Sequence, residues 1–208
     1  MSIKIKTVKT VDKLVGKSHW WGAPDLPDDI PYPCKKIKDA GETYYEPLTF
    51  VCQIRCSDIA ELDTDGLLPH SGFLYFFAPI NYFLGETDTP LSMHDDPVVI
   101  YSEREDDLKP YRLVWEGTED SIFRPAEAIE FSAGADTYAD VIDDHALLCP
   151  LVDDIADWYP RSISLLQIVE SDEWNLRFFD CGSYLFLISR QSLKARRWDK
   201  VRGYVFTY

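Results

Sequence analysis

Residues 48–54 read Leu-Thr-Phe-Val-Cys-Gln-Ile, and residues 72–78 read Gly-Phe-Leu-Tyr-Phe-Phe-Ala. Both runs are rich in β-branched and aromatic side chains and poor in charge, the pattern of strands buried on both faces. The same order returns near the C-terminus, where Ser162 to Val169 (SISLLQIV) is followed by Gly182 and the strand Ser183 to Ser189 (SYLFLIS). Each unit is an apolar strand ending in Gln-Ile, an acidic turn, then a Gly-led aromatic strand. That repetition predicts an internal duplication, with Gln53 and Gln167 at equivalent places in two related sheet halves.

Working outward, residues 18–33 carry Pro24, Pro27, Pro31 and Pro33, which forbid a helix interior and push their predecessors toward extended backbone. Trp20, Trp21, Leu26, Ile30 and Tyr32 make this loop too apolar to float free, so it is expected to lie across a sheet with at least one Trp buried. Further strands are expected at 97–101, 111–115, 128–131, 176–179 and 201–208. A short helix capped by Ser57 carries Ile59 and Leu62, and a helical turn at 191–195 is entered from Ser189. Tyr138, Val141, Ile142, His145 and Leu148 recur at spacings of three and four, which predicts a helix over 137–148. The fold class read from these elements is α+β: a strand-rich single domain, 1–208, built from two related halves. The first half covers about 1–85, an acidic middle 86–157, and the second half 158–208.

The chain has 208 residues, 46% of them apolar and only 10 of them Gly, so it can bury a core and is not a disordered or fibrous sequence. Its 21 Lys and Arg stand against 36 Asp and Glu, a net charge of −15, which argues against nucleic acid as a partner. Residues 86–157 hold 20 of the acids and 4 of the bases, so the whole excess lies in this one stretch. Because the stretch also contains Val98 to Tyr101, Trp115 and Phe123, it is read as folded, with a negative face. The longest apolar run, Phe73 to Leu84, is interrupted by Pro79 and Asn81 and is too short for a membrane span. Five Cys and a start without a secretory apolar run point to reduced thiols in a cytoplasm.

His94-Asp95-Asp96 and Asp143-Asp144-His145 each set an imidazole beside two carboxylates, but neighbours in sequence point apart, so neither triplet converges on an ion alone. A solvated acidic turn at 94–96 and a helix face at 143–145 are the simpler reading, and no metal and no cofactor are expected. Cys52 and Cys56 match neither a zinc knuckle nor a redox motif. Phosphate-cradling and nucleophile-elbow motifs are absent, and no catalytic residue is assigned. Gln53 and Gln167, polar within apolar strands, either line a shared cleft with His145 or bond to the backbone of a facing loop. Arg190, Lys194, Arg196, Arg197, Lys200 and Arg202 make a basic C-terminal cluster, read as counter-charge to the protein's own acids or a second contact surface.

His19-Trp20-Trp21-Gly22 with Pro24, Leu26 and Pro27, then 48–54, 68–77 and 165–208 with Asp180, Gly182, Leu185, Phe186 and Leu193-Lys194-Ala195-Arg196, resemble the YwqG-like family of bacterial proteins of unknown function. The resemblance covers a little over half the chain. It implies an α+β domain with two similar halves and no established reaction, and some members lie near toxin and immunity genes. The function expected is therefore a non-enzymatic cytoplasmic binding module, an immunity-type inhibitor that masks a basic protein such as a toxin. Glu103, Glu105, Asp106, Asp107, Asp153 and Asp154 are the expected docking face. The alternative is a small-molecule-binding or hydrolytic enzyme with a cleft between the halves at Gln53, Gln167 and His145.

Overall fold

The computed structural model describes residues 1–39, 41–87 and 96–207. Among the described residues twelve strands run in chain order: β1 (Ile3–Lys9), β2 (His19–Trp20), β3 (Cys34–Asp39), β4 (Glu42–Pro47), β5 (Thr49–Arg55), β6 (Phe73–Ala78), β7 (Val98–Ser102), β8 (Glu127–Ala133), β9 (His145–Cys149), β10 (Ser162–Val169), β11 (Gly182–Ser189) and β12 (Arg202–Thr207). Three short helices accompany them, α1 (Cys56–Ile59), α2 (Asp153–Trp158) and α3 (Arg190–Lys194), with a 3₁₀ turn at Trp198–Lys200. β3 and β4 form a separate hairpin, and the other ten strands form one sheet in the order β12-β11-β10-β9-β1-β8-β2-β5-β6-β7.

The fold is nearly all-β, which corrects the α+β expectation: strand outweighs helix by 39% to 9%, in a curled antiparallel sheet. The error lies at 137–148. There the backbone makes successive tight turns, with the Val141 N–H bonded to the Tyr138 carbonyl and the Asp144 N–H to the Val141 carbonyl. His145–Cys149 then extends between β1 and β10. A five-residue apolar run satisfies strand and helix periodicity alike, and two flanking strands offer it a complete backbone ladder. The strands expected at 111–115 and 176–179 are reduced to single bridges, Val114 with Ser121 and Ser171 with Leu176. Ser57 caps nothing, whereas the Ser189 hydroxyl accepts the Ser192 N–H at the start of α3.

Read from either end, the sheet presents the same sequence of pairings. Gln53 lies opposite Tyr75 in β5–β6, and Gln167 lies opposite Leu185 in β10–β11. Just before each Gln the register slips by one residue, between Phe50 and Cys52 in one pair and between Ser164 and Gln167 in the other. β1, from the N-terminus, fills beside β9 the place that β8 fills beside β2, and β1 and β8 pair at the centre with Lys6 opposite Glu130. The acidic stretch contributes β7, β8, β9 and α2, so it is woven into the sheet.

Strand alternation divides the core. Leu74, Phe76, Tyr184, Phe186 and Ile188 face the inside of the curl, where Phe76 and Phe186 meet edge to face at 5.5 Å. Phe73, Tyr75 and Phe77 face outward under residues 108–123, and Leu185 and Leu187 face outward under Ile155 of α2. The two sheet edges approach where Asp96 meets Arg202 at 3.2 Å and Tyr101 meets Trp198. Gly203 permits this approach, since a Cβ there would stand 3.1 Å from Pro97 and collide with Tyr184.

Candidate functional site

β2 is only two residues long, and it ends in an abrupt turn. Trp21 and Gly22 both have left-handed backbone, with φ of 52° and 74°. A Trp in that region is uncommon, and such strain persists only where the surroundings hold it. Here they do: the Trp21 N–H bonds to Val51 O at 2.8 Å, the Gly22 N–H to Arg124 O at 3.0 Å, and His19 Nδ1 donates to Trp21 O at 2.6 Å. A side chain at Gly22 would strike Ala126.

The turn delivers two indoles to an aromatic cluster. Trp20 stacks on Trp174 at 5.6 Å, Trp21 meets Trp174 edge-on at 5.2 Å, and the His145 ring lies 4.8 Å from Trp20 and 5.1 Å from Trp174. The Trp174 indole donates to Glu127 at 3.0 Å. Arg124 sits over Trp21 with its guanidinium carbon 5.5 Å from the ring centre. Its Nε and one terminal nitrogen bond to Glu86, at 3.0 and 2.9 Å, and the other terminal nitrogen bonds to Trp174 O at 2.9 Å.

A cleft opens on each side of the Trp21–Arg124 wall. The first, about 280 Å³, has aromatic walls of Trp21, Tyr32, Phe50, Trp115 and Phe123, with Glu46 and Glu86 among its polar groups. Trp115 on its rim is 54% exposed, whereas Trp21 and Phe50 are buried. The second cleft, about 410 Å³, is lined by Lys9, Glu127, Glu173 and Trp174 beyond the shared wall.

Gln53 and Gln167 are both buried, and they hold different loops. Gln53 accepts the Asp25 N–H at 2.8 Å and donates to Asp25 Oδ2 at 2.7 Å and Lys17 O at 2.9 Å. Asp25 in turn accepts the Gly16 N–H, and its carbonyl accepts the Tyr75 hydroxyl. This network pins the Pro-rich loop across the outer face of the sheet. Gln167 donates to Val141 O at 2.7 Å and Asp144 O at 3.1 Å, while its carbonyl oxygen has no partner among the described residues. The Trp20 and Trp21 indole N–H groups are likewise buried without a partner among them. The glutamines share no bonding partner, and His145 belongs to the Trp cluster rather than to either. His145 Nδ1 accepts the Val169 N–H at 3.1 Å, and burial pushes its pKa down to about 4 against a weaker opposing pull from Asp144. Burial also lowers that of His19.

Of the expected acidic face, Glu103, Asp106 and Asp107 are exposed on the loop after β7, and Asp153 and Asp154 are exposed in the first turn of α2 over the far half of the sheet. None of these five has an ion-pair partner among the described residues. Glu105 is spent on structure. It accepts the Gly72 N–H at 2.6 Å and then the Arg55 guanidinium at 2.9 Å, and both hold its carboxyl below the usual range. Among the basic C-terminal residues, Arg197 and Lys200 meet Asp199, Arg202 meets Asp96, and Arg196 bonds to Leu67 O.

His94 and Asp95 lie outside the described residues. In the other triplet, Asp144 pairs with Lys4 at 2.6 Å and Asp143 is exposed. Cys52 and Cys56 are buried, and burial pushes the Cys56 thiol up to about 12. Among the described residues no helix is long and apolar enough to cross a membrane.

Sequence reasoning missed Asp25, Arg124, Glu127 and Trp174. The available signals were that Arg124 is one of only four bases in 86–157, and that Trp174 is a single large apolar residue in the polar run Ser171-Asp172-Glu173-Trp174-Asn175. A family model described as "Domain of unknown function (DUF1963)" matches residues 18–150, a span that contains every residue lining the first cleft. No curated protein matches the chain.

Proposed function

The chain belongs to the DUF1963 family, whose domain is described as of unknown function, and on that premise we propose that it is a non-enzymatic module that captures a basic protein. Within this proposal it acts in the cytoplasm as an immunity-type inhibitor, the role its likeness to YwqG-like proteins implies. The observation that carries the reading is the distribution of unpaired charge. Glu103, Asp106, Asp107, Asp153 and Asp154 are exposed and unpaired among the described residues, while Arg55, Arg104, Arg124, Arg197 and Arg202 are each matched to a carboxylate. With a net charge of −15 the overall field is negative, and such a field raises the encounter rate with a positive partner. The enzyme reading draws less support, because the amide nitrogens of Gln53 and Gln167 are committed to loop backbone and His145 is held in an aromatic stack.

The test is a pull-down from host lysate with the native chain and with a variant carrying Asp106, Asp107, Asp153 and Asp154 each changed to Lys, followed by association kinetics with the captured protein. Association should slow about tenfold in the variant at low salt, and the difference should shrink at high salt. A captured partner indifferent to both the reversal and the salt would remove the charge-steering basis of the proposal.

A further inference from the structure

We propose that the first cleft is a receptor for a single guanidinium or ammonium side chain, the anchor of the basic partner; this rests on the capture reading above. Its walls are aromatic faces, and a cation over such a face is attracted by the ring's quadrupole. Its charge balance is acidic: Glu46 and Glu86 stand against Arg124 alone. Arg124 cannot serve as an anion receptor, because Glu86 takes two of its nitrogens and Trp174 O the third. Beside the neutral Thr49, Asn81 and Thr87, the cleft offers the Glu46 carboxylate and π surface.

The rim adds to this. Glu116, Glu119 and Asp120 are exposed beside Trp115 on the turn closed by the Trp115–Asp120 and Val114–Ser121 pairings, and they have no ion pair among the described residues. Arg124 itself shows the chemistry the site accepts, since its guanidinium rests on the face of Trp21 and is held by a carboxylate. An incoming side chain would find the same combination within the cleft, with Trp115 and Tyr32 as faces and Glu46 as counter-charge. A cleft of about 280 Å³ lies at the small end of ligand sites and suits one side chain better than a folded metabolite. The hairpin β3–β4 supplies Glu46 and Pro47 as one wall, so Tyr44, exposed two residues before Glu46 on the same strand, would meet the partner beside the anchor.

The test uses small probes on the full chain. N-acetyl-arginine amide, N-acetyl-lysine amide and the uncharged isostere N-acetyl-citrulline amide are titrated while the indole resonances of Trp21 and Trp115 are followed by NMR. The two cations should shift both indoles saturably, with citrulline amide at least about tenfold weaker. Glu46→Gln, which keeps an acceptor for Asn81, should weaken cation binding about three- to tenfold, and Trp115→Ala should do so at an exposed position that the fold does not need. Equal binding of citrulline amide, or cation shifts that survive both substitutions, overturns the proposal. The two readings fail separately: if the four-Lys reversal slows capture while the probes ignore the cleft, charge steering stands and this anchor is wrong.

Discussion

Gln53, opposite Tyr75, and Gln167, opposite Leu185, each follow a bulge in their own strand and are put to different uses. Gln53 commits its whole amide to Asp25 and Lys17, which in turn fasten the Pro-rich loop and Tyr75. Gln167 commits only its nitrogen, to two carbonyls of the 141–144 turns, and leaves its oxygen unpartnered among the described residues. The matched strands thus provide a socket on each side, and the connecting segment decides what the socket holds. On the first side it holds a loop that turns at Trp21 and Gly22 and builds the cleft. On the second it holds a turn that leads directly into β9.

The largest expected effect separates the two sockets. Gln53→Leu strands the buried Asp25 side chain and two backbone groups, and should cost about 3–5 kcal/mol. Gln167→Leu strands the Val141 and Asp144 carbonyls but also removes an oxygen that has no partner among the described residues, and should cost less, about 1–2 kcal/mol. Denaturant unfolding of both variants measures the difference, and equal losses would break the comparison.

The next effect is smaller and depends on pH. His145 is neutral in the folded protein down to about pH 4, whereas unfolded His takes up a proton near 6.5. Between those values the unfolded state binds more protons, so stability falls as pH drops from about 6.5 to about 4, by up to about 3 kcal/mol, and levels off below. His19, also lowered by burial, adds in the same direction. His145→Phe should keep the stack on Trp20 and Trp174 and flatten the slope by its share. A slope unchanged by that variant would show that the second-side imidazole carries none of it.

The smallest effect concerns the helix caps. Ser189→Ala removes a hydroxyl that accepts the Ser192 N–H and should cost about 1 kcal/mol, while Ser57→Ala at an uncapped helix should change stability by less than about 0.5 kcal/mol. Thermal melts of the pair resolve this.

These contrasts also mark what the sequence could disclose. The strands at 49–55, 73–78, 162–169 and 182–189 were legible because long apolar runs between turn residues leave few alternatives. β1 carried a clean alternation, with Ile3 and Ile5 buried and Lys4 and Lys6 outward, yet its charged look disguised it. The hairpin β3–β4 stands apart from the main sheet and is largely exposed, so it had no apolar face to announce it. The helix expected at 137–148 failed because Asp140, Asp143 and Asp144 favour turns and the strand slot beside β1 captured the apolar end. The cleft was illegible for a different reason. Arg124 and Trp174 are far apart in sequence and meet only through the sheet order, which one chain's periodicity does not encode.

The central claim is that the anchor cleft proposed for a basic side chain lies on the first side of this sheet. Amide and indole shift mapping by NMR, with a short arginine-rich peptide titrated into the full chain, tests it most directly. The account predicts perturbations at Trp21, Gly22, Glu46 to Phe50, Trp115 and Ile122 to Arg124, with Asp144, Ala146 and Gln167 unmoved. Shifts centred on the second side, or spread evenly over both, would contradict it.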